Sequence, residues 1–324
     1  MTVRIGFVGA GGIATIQHLP RLERIDEAEV VAFADLDEAL AREVAEKNGA
    51  AAYGNWREMI DSEKLDAVYV CLPPFAHGEV ERACVEKNLA LFIEKPIALD
   101  MPTAESIRDA IRKAGVVCSV GYVWRYMDVA TRAAELLAGR PIALMRGQWI
   151  GDFPPPAWWK TKAKSGGQLV EQTTHPLDLA RFLAASPVVS AYAAGSKGIM
   201  APRVEGHDVE DASAAVFTFE NGAVLALLSA HVAPPPNRAI LEIVSDGLVV
   251  SLTKNNTMTI ETADGAEEVK GANDAFLAED EAFVRAVATG DAAGIKSSYA
   301  DAVETLRASL AANESMESGK VVVL

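Results

Sequence analysis

The chain has 324 residues, half of them hydrophobic and 23% charged, which describes a folded globular protein long enough for two domains. Its formal net charge of −15 argues against nucleic acid and anionic membrane as partners, and no stretch approaches a membrane span. Cys71, Cys84 and Cys118 lie in apolar settings without zinc spacing and read as reduced, buried side chains. No metal is expected, and the start, MTVRIGFVGAGGIA, lacks a signal-peptide pattern, so the expected compartment is the cytoplasm.

The first third alternates strand and helix. Val3 to Val8 is an apolar strand that runs into Gly9, Gly11, Gly12, Ile13 and Ala14, a GxGxxA turn, and then into a helical pattern with Ile16, Leu19 and Leu22. Small residues here let the backbone turn tightly beside a pyrophosphate and let helix and strand pack closely. The strand Val30 to Ala34 ends in Asp35, 21 residues past Ala14, where an acid accepts hydrogen bonds from an adenosine ribose. Asp35 otherwise caps the helix that follows, about Glu38 to Lys47. As a carboxylate it repels a 2′-phosphate, so NAD is favoured over NADP. The strand Ala67 to Leu72 exits through Pro73 and Pro74 to His77, which either touches cofactor or caps a helix from about Ala76. Ala90 to Ile93 is a buried strand that ends in Glu94, Lys95 and Pro96, and a helix (Ala104 to Ala114) and a strand (Val116 to Val120) follow. This alternation with near-continuous apolar strands is that of a doubly wound parallel sheet, whose ligands bind beyond the C-terminal strand ends. Gly9, Asp35, Leu72, Pro73 and Lys95 all sit at such ends.

After residue 121 the pattern changes, which gives an expected division into residues 1–121 and 122–324. Tyr122 to Tyr126 is aromatic and basic and includes Trp124 and Arg125. A helix to Gly139 and a strand, Ile142 to Ile150, precede an irregular stretch, Gly151 to Gly167, that holds Trp158, Trp159, Lys160, Lys162 and Lys164. Paired tryptophans suit the apolar face of a sugar ring or anchor the loop, and the lysines either meet an acidic sugar or form a solvated face. Then come Glu171, His175, Pro176 and Asp178. Pro176 suits a first helical position, which makes His175 the expected N-cap and puts Asp178 where an acid complements the helix dipole. Imidazole is a poor cap, so His175 reads as an acid/base. From Val188 onward, Asn221-Gly222, Asp246-Gly247 and Asp264-Gly265 mark the turns of a meandering antiparallel sheet, closed by two helices and a strand from Lys320 to Leu324.

GxGxxA at Gly9–Ala14, PPxxH at Pro73–His77, EKP at Glu94–Pro96, GGxL at Gly166–Leu169 and HxxD at His175–Asp178 occur in the order found in the glucose–fructose oxidoreductase/inositol dehydrogenase/rhizopine catabolism (Gfo/Idh/MocA) family, which this chain resembles over essentially its whole length. The resemblance implies an N-terminal Rossmann domain and a C-terminal α/β domain whose open sheet builds a homodimer or homotetramer. It also implies that Lys95 and His175 flank a substrate carbon over the nicotinamide, and that the Lys95–Pro96 peptide is often cis. Glu171 departs from the pattern, because relatives acting on polyols commonly carry Asp four residues before the catalytic His.

The expected activity is NAD-dependent hydride transfer on a secondary alcohol or ketone of a sugar, sugar acid or cyclitol. His175 is the general base and Lys95 stabilises the alkoxide, with Glu171 or Asp178 orienting His175. Glu94 positions Lys95 or meets cofactor, and Trp124, Arg125, Trp158, Trp159 and Lys162 are candidate substrate contacts. Two alternatives remain: a glycosidase that works by transient oxidation and elimination, and a non-catalytic NAD-loaded sensor.

Overall fold

A computed structural model describes all 324 residues. The contacts divide the chain into two compact units, residues 1–126 with 274–303, and residues 127–273 with 304–324. The division expected after residue 121 drew two continuous segments. Here each unit is discontinuous, because the segment 274–303 joins the first, and the second boundary falls inside the helix Tyr299–Ser318.

The first unit holds a parallel six-stranded sheet, β1 (Val3–Val8), β2 (Ala28–Ala34), β3 (Ala51–Tyr53), β4 (Ala67–Val70), β5 (Ala90–Ile93) and β6 (Cys118–Val120), in the order β3-β2-β1-β4-β5-β6. The short β3 and the helix Trp56–Ser62 were not read from the sequence, for a three-residue strand with no fully buried side chain carries too weak a pattern. Phe7, Tyr69 and Phe92 stack across neighbouring strands at centroid distances of 4.9 and 4.7 Å, and Phe283 of the helix Ala275–Thr289 meets Phe92 edge-on at 5.6 Å. Such aromatic pairs add about 0.5–1.5 kcal/mol each beyond burial. Because every strand runs the same way, the turn after β1, Asp35 after β2, Leu72 and Pro73 after β4, and Lys95 after β5 share one edge.

The segment after β1 is a π-helix, Ile13–His18, continued by an α-helical turn, Leu19–Leu22. The wider turn shifts the phase of the buried face. Leu19 and Leu22 are buried as expected, but Ile16 is 68% exposed and His18 takes the inner position.

The second unit holds a nine-stranded sheet of β7 (Ile142–Ile150), β8 (Val188–Ser196), β9 (Ala212–Phe219), β10 (Val224–Ala230), β11 (Arg238–Ser245), β12 (Leu248–Thr253), β13 (Thr257–Thr262), β14 (Gly265–Lys270) and β15 (Val322–Val323). The three predicted turns close β9–β10, β11–β12 and β13–β14. The sheet is not a plain meander. β7 lies between β10 and β11, parallel to the first and antiparallel to the second, and breaks the succession of hairpins. The helix Thr174–Ala184 packs on β7 and β11.

Candidate active site

Gly9 has φ +96°, and a Cβ there would stand 2.3 Å from the Cys71 carbonyl oxygen, so the turn can close against β4 only with glycine. A Cβ on Gly11 would meet nothing within 4 Å, so the chain is open to a ligand at that point. The Ala10 N–H donates to Asp35 Oδ2 at 2.9 Å and the Asp37 N–H to Asp35 Oδ1 at 2.9 Å. The helix Glu38–Asn48 is capped by Asp37, whose Oδ1 accepts from Ala39 and Leu40. The capping alternative for Asp35 therefore falls away, and its carboxylate is fixed beside the glycine turn. Gly9, Gly11, Gly12, Ile13, Ala14 and Asp35 fit a dinucleotide.

His77 does not cap a helix. The helix begins at Glu79 with Gly78 as its cap, and Glu81 reaches back to the Gly78 N–H at 2.6 Å while its other oxygen holds His77 Nδ1 at 2.5 Å. Glu81 is fully buried; burial alone would raise its pKa, but His77 and the Gly78 N–H outweigh that and lower it. Nε2 of His77 is buried without a protein partner, an orphaned polar atom on the Leu72–Pro73 exit.

Glu94 is 5% exposed and internally engaged. Its Oε2 accepts from the Lys95 N–H at 3.1 Å and its Oε1 faces His18 Nε2 at 3.1 Å. The other His18 nitrogen meets Asp280 Oδ1 at 2.9 Å, which also accepts from the Tyr69 hydroxyl at 3.1 Å. Burial opposes a charge on His18, but Asp280 and Glu94 together prevail and raise its pKa to about 10. Burial also raises the Asp280 carboxyl, against the pull of His18 and Tyr69. Lys95, half-buried, thus leaves a strand whose last carboxylate is locked by a buried cation, and the Lys95–Pro96 peptide is cis. Sequence reading passed over His18 and Asp280, which lie 262 residues apart. The one signal was a histidine inside an apolar helical stripe.

In the second unit, the helix that carries His175 starts at Thr174, with Thr173 as its cap. Pro176 is therefore at the third helical position rather than the first, still among the residues whose N–H has no intrahelical partner. His175 is not the cap; it is 8% exposed, and its ring stacks on Trp149 of β7 at 5.7 Å and 25°. Trp149 escaped the sequence reading because it is one residue of an ordinary strand. Asp178 lies beyond the first turn, 1% exposed, and accepts from Thr305 Oγ1 at 2.8 Å, while Arg181 donates to the same hydroxyl at 2.7 Å. That corrects the dipole role expected of Asp178. Glu171 accepts the Trp159 indole N–H at 2.8 Å.

Several proposed substrate contacts prove to be internal. Trp159 is 1% exposed and Trp124 5%, whereas Trp158 is only half-buried. Arg125, 3% exposed, donates to the Lys296 carbonyl at 2.7 Å and pairs with Asp301. Lys162 pairs with Glu210 at 2.9 Å and Glu317 at 3.2 Å. Lys160 donates to the Glu205 carbonyl at 2.7 Å. The lysine run is thus divided among separate partners.

A glycine turn with an acid on the next strand, on a doubly wound sheet, defines a dinucleotide-binding protein, and comparison with known proteins carries the assignment further. Residues 3–122 match the model of an oxidoreductase family with an NAD-binding Rossmann fold, and residues 138–249 match the Gfo/Idh/MocA C-terminal domain. The chain belongs to the Gfo/Idh/MocA oxidoreductase family. It is 30% identical over 226 residues to a myo-inositol 2-dehydrogenase of Thermotoga maritima, a match spanning 68% of this chain and 66% of that enzyme, just under two thirds. It is 26% identical to a D-xylose 1-dehydrogenase (NADP(+)) of Haloferax volcanii, over 98% of this chain and 99% of that one. The crystal structure of a probable dehydrogenase from Thermotoga maritima superposes with a TM-score of 0.84 at 25% identity, covering 99% and 98% of the two chains.

Proposed function

We propose that the protein is an NAD-dependent dehydrogenase or reductase acting on a secondary alcohol or ketone of a sugar, sugar acid or cyclitol. The observation that carries this reading is the shared strand-end edge, on which Lys95 stands with the Gly9 turn and Asp35. NAD, when bound, supplies the acceptor or donor of hydride. Gly9–Ala14 and Asp35 hold its diphosphate and ribose, with Leu72, Pro73 and His77 alongside. The acid at Asp35 selects NAD over NADP, unlike the Haloferax relative named for NADP. Lys95 stabilises the alkoxide, and His175 takes the hydroxyl proton in oxidation and returns it in reduction. Glu94 positions Lys95. Names of relatives that act on inositol and xylose support the substrate class.

A second copy of the chain is the proposed partner. Leu144, Tyr192, Val216 and Leu228, on adjacent strands β7, β8, β9 and β10, are 39–46% exposed on one sheet face, and Tyr192 is directly paired with Val216. Val216→Glu is expected to shift the sedimentation coefficient toward a smaller species. An unchanged value overturns this interface. The proposed compartment is the cytoplasm, supported by three free, buried cysteines. No helix is long and apolar enough to cross a membrane.

The activity is tested by following nicotinamide absorbance with NAD or NADP against sugars, inositols and sugar acids. NAD reduction by at least one of them is expected. Glycoside cleavage without net NAD reduction would replace this reading with the elimination reaction.

A further inference from the structure

Outside the residues assigned above, His207, Asp211 and His231 each turn one ligand atom toward the others, and these atoms all lie within 4.8 Å. His207 and Asp211 come from the segment between β8 and β9, and His231 follows β10. Asp211 and His231 are fully buried and His207 is 9% exposed. Nε2 of His207 stands 3.1 Å from Nε2 of His231. Phe153 lies 5.7 Å from both rings, and Trp159 meets His231 edge-on at 4.9 Å.

Protein contacts leave this cluster incomplete. The Asp211 carboxylate accepts only backbone N–H groups, from Ile199 at 2.7 Å and Met200 at 3.0 Å. A buried carboxylate needs a countercharge, and the neighbouring Lys162 and Lys197 pair with Glu210 instead. Nδ1 of His231 is buried without a partner.

We propose that His207, Asp211 and His231 bind one divalent transition-metal ion of the zinc type. Two imidazoles and a carboxylate form a borderline donor set that suits zinc. Two nitrogens on one tetrahedral zinc stand roughly 3.3 Å apart, close to the separation seen here. A ring-to-ring hydrogen bond also fits 3.1 Å, but it leaves Asp211 without a countercharge. The ion would pin the segment before β9 to the end of β10, beneath Trp159, whose indole N–H holds Glu171. No metal motif shows in the sequence because the ligands span a hairpin, with residues 212–230 between Asp211 and His231.

The test uses the full-length protein, stripped with a chelator and then titrated with Zn2+ alone. Metal content after gel filtration, Tm and, in parallel, the absorption spectrum with Co2+ are read out. The expected result is one ion per chain, a raised Tm and the intense visible bands of cobalt in a four-coordinate site. His207→Gln, the substitution nearest the surface, is expected to weaken Zn2+ uptake more than about tenfold. Wild-type uptake no tighter than that of His207→Gln overturns the site. If His207→Gln does not fold, the wild-type cobalt spectrum decides, and weak octahedral bands overturn the proposal.

Discussion

Lys95 follows a strand end whose carboxylate is gripped by a charged, fully buried histidine, whereas His175 rests on the face of an indole. The two side chains to which the chemistry is assigned thus have different surroundings. Around Lys95 the support is ionic: His18 lies between Glu94 and Asp280, and all three are removed from water. Around His175 a ring contact is made with Trp149 on a β-strand, and Glu171 accepts the Trp159 indole N–H. An ionic brace is strongly direction-setting but fails when either its charge balance or the pH changes. An aromatic contact is weaker per pair. Lys95 stood out in the sequence; His18 and Asp280 behind its strand end did not.

The largest expected effects come from removing the two groups themselves. Lys95→Met and His175→Asn should each lower kcat by about 10²- to 10⁴-fold while NAD binding, measured by fluorescence titration, persists. Near-wild-type kcat in either variant removes that residue from the mechanism and ends the comparison on that side.

The ionic brace is tested next, by stability. Asp280→Ala leaves His18 with one carboxylate fewer inside the core and should cost about 3–5 kcal/mol in urea denaturation. The pH dependence has a definite sign. His18 is faced by Glu94, Asp280 and Tyr69, and its pKa rises from the ordinary 6.5 to about 10 in the folded state. Its stabilisation is therefore complete below about 6.5 and is lost as the pH climbs through about 10. Urea midpoints measured across that interval should fall for wild type and fall less for His18→Gln. Parallel curves would mean that His18 is neutral in the folded protein.

The aromatic brace should respond more gently. Trp149→Leu removes the 5.7 Å stack under His175, a contact worth about 0.5–1.5 kcal/mol, and should reduce kcat by up to about tenfold. The shape of the kcat–pH profile should not change. A profile displaced along the pH axis would show that the indole sets the titration of His175, not just its position.

How far the sequence could be read follows from the same physics. Five of the six parallel strands announced themselves because each is short, apolar and followed by turn residues, and the glycine turn with Asp35 follows the spacing of a dinucleotide fold; the three-residue β3 gave no such pattern. The hairpins after β9, β11 and β13 were legible from Asn-Gly and Asp-Gly pairs. The insertion of β7 between β10 and β11 was hidden, since no local pattern encodes which distant strand a segment will join. The start of the His175 helix was misplaced because Pro176 tolerates any of the early positions where its missing N–H costs nothing. His18, Asp280, Trp149 and the His207–Asp211–His231 cluster matter through partners far along the chain, and one sequence carries no record of such pairs.

The smallest expected effect concerns Lys162, which the sequence offered as a contact for an acidic sugar. Its ammonium lies between Glu210 and Glu317, with 18% of the side chain exposed, so a bound anion would have to compete with two carboxylates already in place. Partly exposed pairs of this kind contribute about 1 kcal/mol or less. Lys162→Met should therefore lower stability only slightly in urea denaturation and leave the ratio of kcat/KM for a sugar acid over its neutral sugar unchanged. A fall in that ratio of tenfold or more, about 1.4 kcal/mol, would mean that the ion pairs open when substrate arrives and that Lys162 then meets its acid group.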